Sequence, residues 1–369
     1  MSLNLRGRLN WWMGALASVS LLGACGAPDE RAEDALESNE AVRDAVAGDV
    51  AVKLSVGKSA MAARDNVLVT VTMTNVSSRT VRVLKWHTPV DGLKEDLFKV
   101  TADGVAAEYN GRHYKWATPQ ATDYLNLAPG ESVSSKVDLA SVYDFSKTAT
   151  YDIRFDSAGH HDATHDGVSQ LSSGSVSVFV EGRPFVHPEA EAAPGTVTAM
   201  ALSTANCSST RVTSVTTAFN SAKTYANNAV TYLSGTPSAT SRFTTWFGTY
   251  SSTNWNTIKT HFTSIKSAFD TKSVIVDCGC SDSAYAYVYK NSPYRIYVCN
   301  AFWSAPNTGT DSRAGTLIHE MSHFTVVADT DDWAYGQSAA KSLATSNPTR
   351  ARDNADSHEY FAENTPSLP

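Results

Sequence analysis

The chain has 369 residues, 42% of them hydrophobic and 18% charged, with a formal net charge of -7. That length allows two domains with separate cores, and an acidic chain without a basic patch is not built to bind nucleic acid. Its five cysteines are Cys25 and a later group, Cys207, Cys278, Cys280 and Cys299, which reads as two disulfides in an exported protein.

The amino terminus supports export. Arg6 and Arg8 precede an apolar or small run over residues 11–22, which ends in Leu22-Gly-Ala-Cys25. The run is too short to span a bilayer and reads as a signal peptide over residues 1–25. Leu-Gly-Ala-Cys resembles a bacterial lipobox, so Cys25 is the expected lipidation site; a plain secretory signal cut near Ala24 or Ala27 is the alternative. The expected location is the bacterial cell surface, as an outer-membrane lipoprotein touching the membrane only through its lipid, or the medium after processing. Residues 26–48 are rich in Ala, Glu and Asp and read as a flexible tether.

From residue 49 the period becomes two. Val50, Val52, Leu54 and Val56 alternate, as do Val67, Val69, Val71 and Met73, and shorter runs follow at 81–83, 151–155 and 176–180. Short alternating strands separated by turn signals predict an all-β, immunoglobulin-like sandwich over residues 49–182. His160, His161 and His165 could gather a metal but read better as a polar loop, and Asn75-Val-Ser77 reads as a turn. Residues 183–205, with Pro184, Pro188, Pro194 and Gly195, read as a linker.

Residues 206–369 predict an α+β, mostly helical domain. Val212, Val215, Phe219, Ala222, Ala226, Ala229 and Leu233 recur at helical spacing, as do Trp255, Ile258, Phe262, Ile265 and Phe269. Short strands are expected at 274–276, 284–289 and 295–298, and later helices at 334–344 and 355–364. Between them stands Gly315-Thr-Leu-Ile-His-Glu-Met-Ser-His323, with Asp311 or Ser312 placed to cap it. His319 and His323 are four apart, so a helix puts both imidazoles on one face, where they can hold one zinc ion. Glu320 between them can act as the general base on a water there. Catalytic zinc needs a third ligand. Val326 and Asp329 stand where a metzincin has Gly and His, which excludes that class; Glu359, Glu363 or an aspartate among Asp329, Asp331 and Asp332 remain open by spacing.

Three separated motifs carry a resemblance. They are the His319 to His323 stretch, then Asp332-Trp-Ala-Tyr-Gly336, then Asn354-Ala-Asp-Ser-His-Glu-Tyr-Phe361. Together with Thr244-Thr-Trp-Phe-Gly248 they make the region from about Cys207 onward similar to the aspzincins, and within them to the peptidyl-Lys metalloendopeptidases of the deuterolysin family. The resemblance implies one zinc ion per catalytic domain, with Asp332 as third ligand and Tyr335 as hydrogen-bond donor to the oxyanion. It implies that Asp356 and Glu359 form a pocket for the substrate lysine, with cleavage on its amino-terminal side. It also implies disulfides Cys207–Cys278 and Cys280–Cys299. His358 is expected to be structural.

The implied function is a zinc endopeptidase acting on lysine-containing proteins or peptides, as a monomer. Two other readings compete: a deuterolysin-like protease of broader specificity, and a non-catalytic surface lipoprotein that binds a partner through its sandwich. The sandwich, lying before the catalytic part, reads as a propeptide that inhibits in cis. No cysteine lies between Cys25 and Cys207, so a thiol cannot block the metal, whereas Lys94 could mimic a substrate lysine. No lysine lies between Lys147 and Lys223. A strictly lysine-specific enzyme therefore cannot cut its own linker, and release of the catalytic part is expected to need another protease or relaxed specificity.

Overall fold

The computed structural model describes residues 43–44, 48–157, 171–186 and 202–369. Cys25, the tether up to residue 42, His160, His161, His165 and most of the linker lie outside the described residues.

Two sheets in the first half share one apolar core. Ser132–Asp138, Leu68–Asn75 and Val50–Val56 form an antiparallel sheet in that order. Ala60–Met61, Val176–Val180, Ala149–Phe155, Phe98–Ala102 and Val105–Ala106 form the other. The alternation read from the sequence is what divides them into faces: Val69, Val71 and Met73 point inward with Ile153, Phe155 and Val178, while the threonines between them face out. Each such valine, fully buried, contributes about 1.5–3 kcal/mol. The Asn75 side chain accepts from Ser77 N at 2.9 Å and donates to the carbonyls of Arg79 and Leu127, so it makes a buried turn.

The second half packs helices on a five-stranded sheet. The helices Ser209–Leu233, Ser252–Thr271, Arg313–His323 and Ala355–Glu363 bury their apolar stripes in a single cluster with Val274, Val276, Ile296 and Val298. Ser208, Ser251 and Ser312 each accept a hydrogen bond from a first-turn N–H, which explains where three of these helices begin. The strand order is Leu202–Ala205, Val274–Asp277, Arg295–Val298, Ala286–Val288 and His113–Lys115. Disulfides join Cys207 to Cys278 and Cys280 to Cys299. By chain entropy, closing loops of 71 and 19 residues stabilises the fold by about 4 and about 3 kcal/mol.

Two strands differ from expectation. Leu202–Ala205 pairs in parallel with Val274–Asp277, so the sheet begins four residues inside the stretch expected to be linker. Its small and polar residues have no period to reveal it. His113–Lys115 comes from the first half but pairs antiparallel with Ala286–Val288 as the edge strand of the second. A crossing of this kind is set by contacts far away in sequence and leaves no local signature.

Candidate active site

The helix Arg313–His323 is buried from Ala314 to its end. Ser312 accepts from Gly315 N at 2.9 Å and itself donates to Glu363 Oε1 from N and Oγ, at 2.9 and 2.7 Å. Gly315 is where the helix meets Ala355–Glu363, and a Cβ there would lie 2.9 Å from Glu359 Cγ. Only glycine allows this approach.

His319 Nε2 and His323 Nε2 are 3.2 Å apart. Asp332 reaches them from the following loop, with Oδ1 3.1 Å from the first and Oδ2 3.2 Å from the second. Asn354 Oδ1 fixes that loop by accepting from Trp333 N and Ala334 N, both at 2.9 Å. Thr330 O lies 2.8 Å from His323 Nδ1. A carbonyl can only accept, so Nδ1 carries a proton, and Nε2 is the nitrogen that faces Asp332 and can offer a lone pair to a metal once it holds no proton of its own. Asp356 Oδ1 does the same for His319, at 2.8 Å from its Nδ1. Two imidazole nitrogens and a carboxylate converging on one point, each imidazole oriented by a second partner, are the donor set that zinc takes.

Glu320 is fully buried, and neither of its carboxylate oxygens has a hydrogen-bond partner. Burial raises its pKa from 4.5 to about 7, against the pull of His319 and His323. A carboxylate left without partners inside a protein is costly, and beside such a donor set it has the position of a proton acceptor. For His319, burial opposes the charged ring, but Asp332 and Asp356 outweigh it and raise the pKa to about 10. The neighbouring histidines overcome burial at Asp332 and hold its carboxyl well below the usual range.

The other sequence candidates separate clearly. Glu359 Oε2 lies 2.8 Å and Asp356 Oδ1 3.1 Å from a single ammonium, Lys115 Nζ, which is almost fully buried. Glu363 serves Ser312, so neither it nor Glu359 stands where Asp332 does. Tyr335 O–H donates to the Tyr114 carbonyl at 2.7 Å. Lys290 pairs with Asp329 and Asp331 at 2.9 and 2.8 Å, which makes both aspartates loop anchors. His358 turns away, with Nε2 2.9 Å from His261 Nδ1. Lys94 is 2.6 Å from Asp282, outside the acidic pocket.

The segment His113–Lys115 was not among the sequence candidates. Lys115 is the residue that fills the pocket in place of Lys94, and His113 lies against His323, with ring centroids 5.5 Å apart. The only local signal was a lysine between two aromatic residues, Tyr114 and Trp116. Nothing in that pattern points to a site formed more than two hundred residues later.

Comparison with known proteins agrees with this chemistry. The aspzincin family model, described as lysine-specific metallo-endopeptidase, matches residues 232–363. An extracellular protease of Aeromonas hydrophila is 42% identical over 312 residues, covering 82% of this chain and 89% of the relative. A peptidyl-Lys metalloendopeptidase of Armillaria mellea is 36% identical over 314 residues, covering 82% and 88%. One from Pleurotus ostreatus is 55% identical over 163 residues, covering 44% and 96%. Among solved structures, a zinc peptidase from Grifola frondosa is 48% identical, with a TM-score of 0.43, covering 44% of this chain and all of that one.

Proposed function

The chain belongs to the aspzincin family of zinc metalloendopeptidases, and from that premise we propose that it cleaves peptide bonds on the amino-terminal side of lysine. The observation that carries this reading is the Lys115 ammonium between Asp356 and Glu359, while Tyr335 holds the carbonyl one residue before it. The pocket and the carbonyl donor are thus one residue apart along a bound strand, in the register that an Xaa-Lys bond requires. Two buried carboxylates leave an uncharged side chain poorly matched, which disfavours the broader specificity.

His319, His323 and Asp332 hold the zinc. When bound, zinc supplies a Lewis acid that acidifies water and polarises the carbonyl. Glu320 takes the proton of the attacking water and passes it to the departing lysine nitrogen. Tyr335 donates to the carbonyl oxygen as it gains charge, an interaction that strengthens towards the transition state. Asp356 orients His319 as well as pairing the substrate ammonium.

Residues 49–182 are read as an immunoglobulin-like sandwich acting as a propeptide that inhibits in cis. The Pleurotus relative, covered almost completely by 163 matched residues, supports a catalytic part that stands without it. The amino-terminal segment and the extracellular relative support export, and lipidation of Cys25 is proposed from Leu22-Gly-Ala-Cys25 alone.

The test is a digest of a denatured protein of known sequence by the processed protease, mapped by mass spectrometry. Fragments should begin at lysine throughout. Cuts spread over other bonds at comparable rates would overturn the lysine assignment.

A further inference from the structure

The strand His113–Lys115 runs antiparallel to Ala286–Val288, with Lys115 opposite Ala286 and His113 opposite Val288. Tyr285 N donates to the Lys115 carbonyl at 2.8 Å. Lys115 Nζ meets Asp356 and Glu359, and the Tyr114 carbonyl meets Tyr335. A Tyr114–Lys115 peptide bond is therefore set up as a substrate would be. One feature departs from a simple substrate. His113 Nε2 is buried without a hydrogen-bond partner, and a ligand atom of His113 lies with those of His323 and Asp332 in a group no more than 4.8 Å across. A buried ring nitrogen with nothing to bond is costly unless it has a use, and the nearest use is the metal.

We propose that His113-Tyr114-Lys115 is an intramolecular plug in which Lys115 addresses the lysine pocket and His113 is the fourth protein ligand of the zinc. This rests on the zinc and lysine assignments made above. Catalytic zinc keeps one position for water, whereas a fourth protein ligand closes the site. The plug is then a bound Xaa-Lys bond protected from hydrolysis by its own preceding residue. That solves the difficulty of any lysine-bearing inhibitor of a lysine-specific protease, which is that it should be cut.

The surroundings hold the plug in place. Trp116 stacks on Trp86 with centroids 4.3 Å apart, and its Nε1 donates to Glu95 at 2.6 Å. Arg112 donates to Tyr289 and Tyr114 at 3.0 and 2.9 Å, and Tyr114 O–H donates to Asp282 at 2.7 Å. The Trp116 contacts fix the tripeptide to its own half, and the bonds of Arg112 to Tyr289 and of Tyr114 to Asp282 tie it to the other. An intramolecular segment faces the site at an effective concentration of order mM, and an added peptide must compete with it.

The experiment uses the full-length precursor with Glu320→Gln, loaded with zinc, and counts imidazole ligands by zinc K-edge X-ray absorption. Three imidazoles are expected, and two on adding His113→Ala. Two imidazoles with His113 present would overturn the inference while leaving the zinc site intact. Failure of that precursor to bind zinc would overturn both. The count with His113 present decides the matter even where the alanine variant fails to fold. With Glu320 intact, intact-mass analysis should find the wild-type Tyr114–Lys115 bond whole. In His113→Ala that bond should be hydrolysed, the water's hydroxyl joining the Tyr114 carbonyl carbon and its proton the Lys115 nitrogen. Cleavage there in wild type, or none in the variant, would overturn the protective role.

Discussion

Asp356 Oδ1 lies 2.8 Å from His319 Nδ1 and 3.1 Å from Lys115 Nζ, so one carboxylate oxygen faces both the proposed metal ligand and the ammonium in the proposed lysine pocket. Glu359 lies 3.6 Å from the same ring nitrogen and is nearer to the ammonium. The two acids should therefore respond differently to substitution. Asp356→Asn is expected to weaken zinc binding about 10–100-fold, the usual effect of losing an orienting partner, and also to lower lysine preference. Glu359→Gln should lower lysine preference with zinc affinity nearly unchanged. Chelator competition measures the first quantity and paired peptide kinetics the second; equal zinc affinities in the two variants would contradict the assignment.

As the proposed general base, Glu320 should supply the acid limb of the pH profile. Burial raises its pKa from 4.5 to about 7, so the ionised base is lost at a higher pH than in an exposed glutamate. Activity should fall as pH drops through this range, and the positive zinc moves the midpoint downward within it. Measured kcat/KM of the processed protease should show this limb. Glu320→Gln should lower kcat by about 10²–10⁴-fold with zinc retained. A variant that keeps wild-type turnover would remove Glu320 from the chemistry.

Tyr335→Phe removes a donor while keeping the ring. If the phenol stabilises charge that develops in the transition state, kcat should fall about 10²–10³-fold with KM little changed. A rise in KM alone would make Tyr335 a group that only binds the ground state.

Loading the metal should release protons. Asp332 and Asp356 outweigh burial and hold the His319 proton on up to about pH 10, and that proton must leave before Nε2 can act as a ligand. At neutral pH zinc binding should release about one proton, and affinity should weaken as pH falls. Calorimetry in buffers of different ionisation enthalpy reads the number directly. Heats that do not depend on the buffer would contradict it.

The parts of this molecule that could be read from the sequence are those whose signal is local. The period-two run through Val69, Val71 and Met73 and the period-3.6 run through Val215, Phe219 and Ala222 each declare a buried face. His319, Glu320 and His323 declare themselves through the i, i+4 spacing and the Ser312 cap. Asp332 came by resemblance, because spacing alone left Glu359 and Glu363 as rivals; the structure gives those two to Lys115 and Ser312 instead. His113–Lys115 could not be read, since its meaning depends on an acidic pocket formed 241 residues further along the chain. For the same reason the acidic sequence around Lys94 could suggest a substrate mimic, whereas its ammonium pairs with Asp282 away from the acidic pocket.

The most direct test of the central claim compares kcat/KM of the processed zinc protease on two peptides that differ only in lysine or norleucine after the scissile bond. Norleucine keeps the aliphatic stem and removes the ammonium, leaving Asp356 and Glu359 buried without their partner. The account predicts a preference for lysine of about 10²–10³-fold. Ratios within about threefold would mean that the acidic pair does not choose the substrate.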